Sequence, residues 1–337
     1  MLSQTSPATP RRISLETIRE ASSIVYQAAV RTPLIRLDSG PELRAIGHRS
    51  DCEVFLKLET LQPIGSFKIR GAFNAVRHLT TDQLARGVWT VSAGNAAQGV
   101  ALSARTVGAG ASVLVMDTAP ATKLRAIERL GARIVQVSYE ECWRAVETHG
   151  SERMPGQFVH PFDDDHFISG NGTIGLEIVE DLPDVDAVIA PIGGGGLLAG
   201  VACAIRALRP AAHVYAAEPA TAAPLARSFE AGRASRFDSW QASFVDGAGG
   251  RSVLDSMWPL LRDSVTASLV VSLDDVARAM ALVAERVHVI AEGAAGCAIA
   301  AALTPEFAAR GHRRIVVIVS GGNIDLSRFA ALVGACP

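Results

Sequence analysis

The chain has 337 residues, 49% of them hydrophobic, which is longer than one typical domain and enough to bury a large core. Its 32 Lys and Arg residues stand against 34 Asp and Glu, a net charge of -2, and no basic run is long enough to track a phosphate backbone, which excludes nucleic acid or an anionic membrane surface as the electrostatic partner. No apolar run approaches the ~20 residues that span a bilayer, and the 5 scattered cysteines form no CxxC pair, so a disulfide framework is excluded and a cytoplasmic address is expected.

The N-terminus (MLSQTSPATPRRIS) is polar and lacks the apolar stretch of a signal peptide; it reads as a loose arm. Helical spacing follows over about Ser14–Val30. Short β-branched runs then predict strands at Val54–Leu58, Val88–Ser92, Ser112–Met116, Arg133–Val137, Ala187–Pro191, Val214–Ala217 and Arg314–Ser320. Between them, helical spacing covers Gly71–Leu79, Ala97–Val107, Ala121–Leu130, Leu197–Leu208, Leu273–His288 and Ala294–Ala302. Strand and helix in alternation imply βαβ units, and the continuously apolar strands imply helices on both faces. The expectation is therefore an α/β chain of two doubly wound parallel-sheet domains. Residues 54–152 would form the smaller one and residues 1–53 with 153–337 the larger, joined through Ser151–Gly172, a Gly-, Pro- and Asp-rich passage.

Two segments carry chemistry. Ala187–Leu197 (AVIAPIGGGGL) places four glycines between a strand and a helix start. Backbone N–H groups and the helix dipole there suit an anion, so Gly193, Gly194, Gly195 and Gly196 read as a phosphate loop, though with neither the P-loop nor the dinucleotide fingerprint. Pro63–Ala72 (PIGSFKIRGA) sets Lys68 among Ile64, Phe67 and Ile69. A lone lysine is usually a solvated charge; one desolvated at a strand-to-helix junction has a lowered pKa and suits imine chemistry with an aldehyde.

These segments, with Ser92–Gly99 (SAGNAAQG) and Ser320–Leu326 (SGGNIDL), resemble in chain order the landmarks of the fold type II pyridoxal-phosphate enzymes, in the branch of the serine/threonine dehydratases and serine racemases. Arg31–Leu34 (RTPL), Gly170–Glu177 (GNGTIGLE) and Ile290–Gly296 (IAEGAAG) extend the resemblance over nearly the whole chain. It implies pyridoxal 5'-phosphate as cofactor, carried on Lys68 as a Schiff base, with the freed amine of Lys68 taking the substrate's α-proton. Phe67 would pack on the ring, Asn95 would bond its 3-oxygen, and Gly193 to Gly196 with the N–H of Leu197 would hold the phosphate, itself the acid for the departing hydroxyl. Ser320 would bond the ring nitrogen. A hydroxyl there supports a neutral nitrogen and a weak electron sink, which suits β-elimination. The substrate carboxylate would sit on Ser92, Ala93, Gly94, Asn95 and Ala96, with Ser92 equally suited to cap a helix. A homodimer is usual among such proteins.

The departures sharpen the expectation. Ala93 stands where the racemase branch has a serine that protonates the opposite face, so elimination to a 2-keto acid and ammonia is favoured over racemisation. Ala96 stands where many members have histidine, and a smaller side chain there admits a bulkier β-substituent, such as a phenyl or a carboxylate. Some members bind a divalent ion beside a segment like Glu218-Pro219, but here Pro224 occupies the place of an acidic ligand, and no metal is expected. The cluster His160, Asp163, Asp164, Asp165 and His166 lacks ligand spacing and reads as a solvated turn. Glu292 reads equally as a residue lining the site or as a structural acid, and Asp246-Gly247-Ala248 as a further substrate-side loop. The chain ends soon after Ser320, without the regulatory domain of biosynthetic threonine dehydratases, which implies a catabolic or specialised role. The alternatives are a racemase, a cofactor-carrying binder without turnover, opposed by the set Lys68, Asn95 and Ser320, and a nicotinamide-binding protein, opposed by the missing fingerprint.

Overall fold

The computed structural model describes residues 11–38 and 40–335. Most of the expected N-terminal arm lies outside them; its described end is anchored, since Arg11 ion-pairs with Asp163 and Asp165. Among the described residues, ten strands form two sheets: β1 (Leu34–Arg36), β2 (Glu53–Leu58), β3 (Val88–Val91), β4 (Ala111–Met116), β5 (Arg133–Val137), β6 (Gln157–Phe158), β7 (Ala187–Pro191), β8 (His213–Pro219), β9 (Ala267–Val271) and β10 (Arg314–Val319). The larger sheet runs β1-β2-β10-β7-β8-β9 and the smaller β5-β4-β3-β6. All pairings are parallel except β1 with β2, an antiparallel edge. The expected α/β class with two parallel sheets holds.

Strand β10 shows why its run is apolar throughout. Ile315, Val317 and Val319 enter a core shared with the helices Leu273–Val287 and Gly293–Ala302, whereas Val316 and Ile318 enter a second core with the helices Asp165–Asp181 and Gly196–Leu208. Side chains alternate between faces, and both faces are covered.

Two expected boundaries are corrected. The run Val54–Leu58, expected in the smaller domain, lies in the larger sheet: β2 pairs along its whole length with β10, from Glu53 opposite Arg314 to Leu58 opposite Val319. A buried apolar run specifies a strand without specifying its partner. At the other end β6 pairs with β3, so the smaller sheet reaches residue 158, beyond the expected limit at 152. Within the expected passage Ser151–Gly172 a 17-residue helix begins at Asp165, capped by Asp164, whose carboxylate accepts from the Phe167 N–H at 2.7 Å.

The glycines that made this segment look irregular serve close helix packing. A Cβ on Gly170 would lie 2.5 Å from the Arg70 carbonyl oxygen, and one on Gly175 would lie 2.7 Å from Ala204 Cβ. Gly170→Ala is therefore expected to lower stability by about 1–3 kcal/mol despite alanine's better helix propensity. A urea midpoint equal to or above that of the parent protein would refute this account of the contact.

Candidate functional site

The two sheets bring every expected site residue to one cleft. It is lined by Phe67 and Lys68, by Ser92 to Ala96, by Gly193 to Leu197 and by Ser320. Lys68 opens the helix Lys68–Arg77. Its Nζ donates to the Pro161 carbonyl at 2.6 Å and lies 5.2 and 5.1 Å from the ring centres of Phe67 and Phe167. Burial lowers this amine to about 8, with Glu292 pulling it back up. The lysine's loop is joined to the Ser320 loop by a bridge between Ser66 and Gly321 and by the Phe67 N–H donating to the Ser320 carbonyl at 3.0 Å.

The lysine's helix is held from below by buried charge. Arg70 is fully buried; its Nε and Nη2 reach the two oxygens of Glu59 at 2.8 Å each, and Nη1 reaches Glu177 at 2.6 Å. Lys57, buried in β2, completes the group 2.6 Å from the other oxygen of Glu177, and Tyr26 donates its hydroxyl to Glu177 at 2.6 Å. Burial alone would raise the Glu177 carboxyl, but Arg70 and Lys57 outweigh it and hold it below its usual value. Sequence reasoning assigned no role to these residues. The signal was present as charges inside apolar runs, Lys57 in VFLKL and Arg70 in KIRGA.

The tetraglycine loop fits a phosphate. A Cβ on Gly194 would lie 2.2 Å from the Phe162 ring and one on Gly193 would lie 2.6 Å from the Gly247 carbonyl oxygen. Gly195, the N-cap, has φ +94°, a left-handed conformation that favours glycine. The first N–H groups of the 13-residue helix that starts at Gly196 have no intrahelical partners and open on the cleft. No residue with a side chain could leave this cradle free.

On the opposite wall, Gly94 rather than Ser92 takes the cap of the helix Asn95–Thr106, and Ser92 Oγ accepts from the Gly94 N–H at 3.1 Å. Ser92 therefore shapes the loop without capping the helix. Ala96 is buried. Asn95 Nδ2 donates to Glu292 at 2.7 Å, and its Oδ1 accepts from Asn323 Nδ2 at 2.7 Å. Glu292 lines the cleft, as do Asp246 and Gly247, and Asp246 ion-pairs with Lys123 across its mouth.

Asp163 corrects the solvated-turn reading. It is buried, bound by Arg11 and by the Ser256 hydroxyl, the latter at 2.6 Å. His160 is buried as well, with Nδ1 accepting the Phe162 and Asp163 N–H groups and Nε2 facing the Val146 carbonyl at 3.2 Å. The group His149, His160 and Asp163 has metal-like spacing, but the ring nitrogens of His160 are engaged. Glu218 is filled likewise. Its two oxygens accept the Leu225 and Ala226 N–H groups at 2.8 Å each, and Ser268 donates to it at 2.5 Å.

With the cleft in view, the comparisons with known proteins agree with its chemistry. Residues 25–321 match the family model "Pyridoxal-phosphate dependent enzyme", and the chain belongs to that family. Among curated relatives it is 36% identical over 323 residues to an L-threonine ammonia-lyase of Thermotoga maritima, covering 95% of this chain and 78% of that one. It is 34% identical to a catabolic L-threonine dehydratase of Staphylococcus aureus, covering 95% and 92%. Among solved structures, maize serine racemase superposes with a TM-score of 0.87 at 34% identity over 95% of this chain and 97% of that one. The processed form of threonine deaminase isoform 2 from Solanum lycopersicum superposes with a TM-score of 0.84 at 29% identity over 99% of each chain.

Lys68 is the amine proposed to take up the cofactor, and its lowered pKa bears on how it would do so. On that proposal the unprotonated amine is the nucleophile, and the rate of covalent attachment is expected to rise with pH and level off above about 8, well below the 10.5 of an ordinary lysine. A rate still climbing steeply between pH 9 and 10 in stopped-flow mixing would contradict this.

Proposed function

We propose that the chain is a pyridoxal-phosphate-dependent ammonia-lyase that eliminates water from a β-hydroxy amino acid of the L-threonine/L-serine type, giving a 2-keto acid and ammonia. The observation that carries the proposal is the buried, pKa-lowered amine of Lys68 set in one cleft with the glycine cradle. When bound, the cofactor supplies an aldehyde that condenses with amines and a conjugated ring that draws electrons from the adjacent carbon. Lys68 attaches it, and its freed Nζ takes the proton from the substrate α-carbon. Gly193 to Gly196 and the Leu197 N–H hold the phosphate, Phe67 supports the ring, Asn95 meets its 3-oxygen and Ser320 its nitrogen. The loop of Ser92, Ala93, Gly94, Asn95 and Ala96, at the start of a helix, takes the substrate carboxylate on backbone N–H groups.

The likeness to racemase structures supports a second reading, racemisation. Ala93 weighs against it, because it has no proton to give where the second face would need one. The names of the curated relatives favour elimination.

Ammonia and keto acid are to be measured with threonine, serine, phenylserine and hydroxyaspartate. Turnover of at least one, abolished in Lys68→Ala, is the expected outcome, and borohydride reduction should fix the cofactor to the Lys68 peptide. Racemisation without ammonia release, or cofactor trapped on another lysine, would overturn the reading.

The filled coordination of Glu218 and His160 supports turnover without a resident divalent ion. Exhaustive chelation is then expected to leave kcat and the thermal midpoint unchanged; a loss restored by magnesium or calcium would refute this. The unpaired thiols and the absence, among the described residues, of any helix long and apolar enough to cross a membrane support a cytoplasmic address. The assembly we read as a homodimer, which is usual for proteins that this chain resembles.

A further inference from the structure

Glu292 is only 6% exposed and stands at the N-cap of the helix Gly293–Ala302, yet its side chain makes no capping hydrogen bond. Its carboxylate turns instead to Asn95, accepting from Nδ2 at 2.7 Å. The other end of the same amide is also held. Asn323 Nδ2 donates both to Asn95 Oδ1 and to the Ile64 carbonyl, each at 2.7 Å. An amide whose oxygen faces a donor and whose nitrogen faces an acceptor has one orientation, because flipping it would set donor against donor and acceptor against acceptor. One Nδ2 hydrogen is then left over. The space for this arrangement exists because residue 321 is glycine: a Cβ there would lie 2.6 Å from the Glu292 oxygen and 3.0 Å from Ser66 Cβ.

We propose that Glu292 is a positioning residue for the cofactor: by fixing the orientation of the Asn95 amide, it directs the remaining N–H to the cofactor's 3-oxygen and so sets how tightly and in what electronic state the cofactor is held. This rests on the assignment of Asn95 to that oxygen made above. The carboxylate acts on the cofactor through Asn95, and Gly321 and Asn323 complete the seat.

Three charged groups face Glu292. Asp246 comes from the loop on the larger-sheet side, Lys123 from the helix Ala121–Glu128, and Lys68 from the head of its own helix. Burial raises the Glu292 carboxyl to about 7 and Asp246 adds to the rise, against the pull of Asn95 and Lys123. An ionised acceptor holds the amide more strongly than a neutral one. Cofactor affinity should therefore increase as pH rises through about 7.

The test is titration of the apoprotein with pyridoxal 5'-phosphate, following the dissociation constant by protein fluorescence and the cofactor's absorption maximum, below and above pH 7. Glu292→Ala is expected to weaken binding roughly ten- to hundredfold, as for loss of a hydrogen bond to a charged group, and to move the absorption maximum. Glu292→Gln, whose carbonyl can still accept from Asn95, should restore most of the affinity but lose the step near pH 7. Wild-type affinity and absorption in Glu292→Ala, or a wild-type pH step in Glu292→Gln, overturns the proposal. Asn95→Ala in the same titration separates the two readings. If it binds as wild type, the assignment of Asn95 itself fails; if it weakens binding while Glu292→Ala does not, only the role of Glu292 fails. Should Glu292→Ala not fold, the pH step in Glu292→Gln decides.

Discussion

The site depends on one buried ion group. Arg70 lies two residues beyond Lys68 on the same helix, and its guanidinium is held on both sides, by Glu59 after β2 and by Glu177 on the helix Asp165–Asp181. Lys57 neutralises the second oxygen of Glu177. Two acids and two bases in a dry interior balance only when all are present; removing one partner of such a group costs about 3–5 kcal/mol, because a charge is left unpaired. The same geometry that makes the group costly to disturb makes it a reference point. It sets the helix carrying Lys68 against both the larger sheet and the long helix beside it, so the reactive amine is located by the core rather than by its own loop.

Around that point the site is assembled from pieces that are individually ordinary. The glycine cradle is a strand-to-helix turn stripped of side chains, and the Ser92 loop is a helix start on the other sheet. Between them an amine whose pKa burial lowers to about 8 faces a glycine cradle suited to a phosphate, which matches a cofactor with an aldehyde and a phosphate. Membership of the pyridoxal-phosphate family accounts for the group as a whole. Ala93 and Ala96, where the sequence departs from the pattern it resembles, both line the cleft, and on the proposed arrangement they bear on which amino acid enters and what becomes of it.

The parts of this arrangement legible in the sequence were those written in short-range code. Seven strands were readable because apolar β-branched runs bounded by polar or glycine residues have few other meanings, and the residues that meet in the cleft were readable as candidates because each sits in a compact motif. Three kinds of feature were hidden. The partner of β2 is a long-range pairing that no local pattern specifies. The helix Asp165–Asp181 carries glycines at Gly170, Gly172 and Gly175 that look like loop residues until the neighbouring helices are in place. The burial of Asp163 depends on Arg11 and Ser256, both distant in sequence. In each case the residue's meaning was held by a segment elsewhere in the chain.

The bridge between Ser66 and Gly321 is the first stitch of a seam that runs under the cleft. It bonds the loop bearing the Lys68 amine to the loop bearing Ser320, and the Phe67 N–H donating to the Ser320 carbonyl repeats the tie. The Ser92 loop, in contrast, is carried on β3 of the smaller sheet. Yet its helix Asn95–Thr106 packs on the helix that Lys68 opens, and Asn95 is bonded to Glu292 and Asn323, so the seam continues across the cleft and ties the contributions of the two sheets to one another.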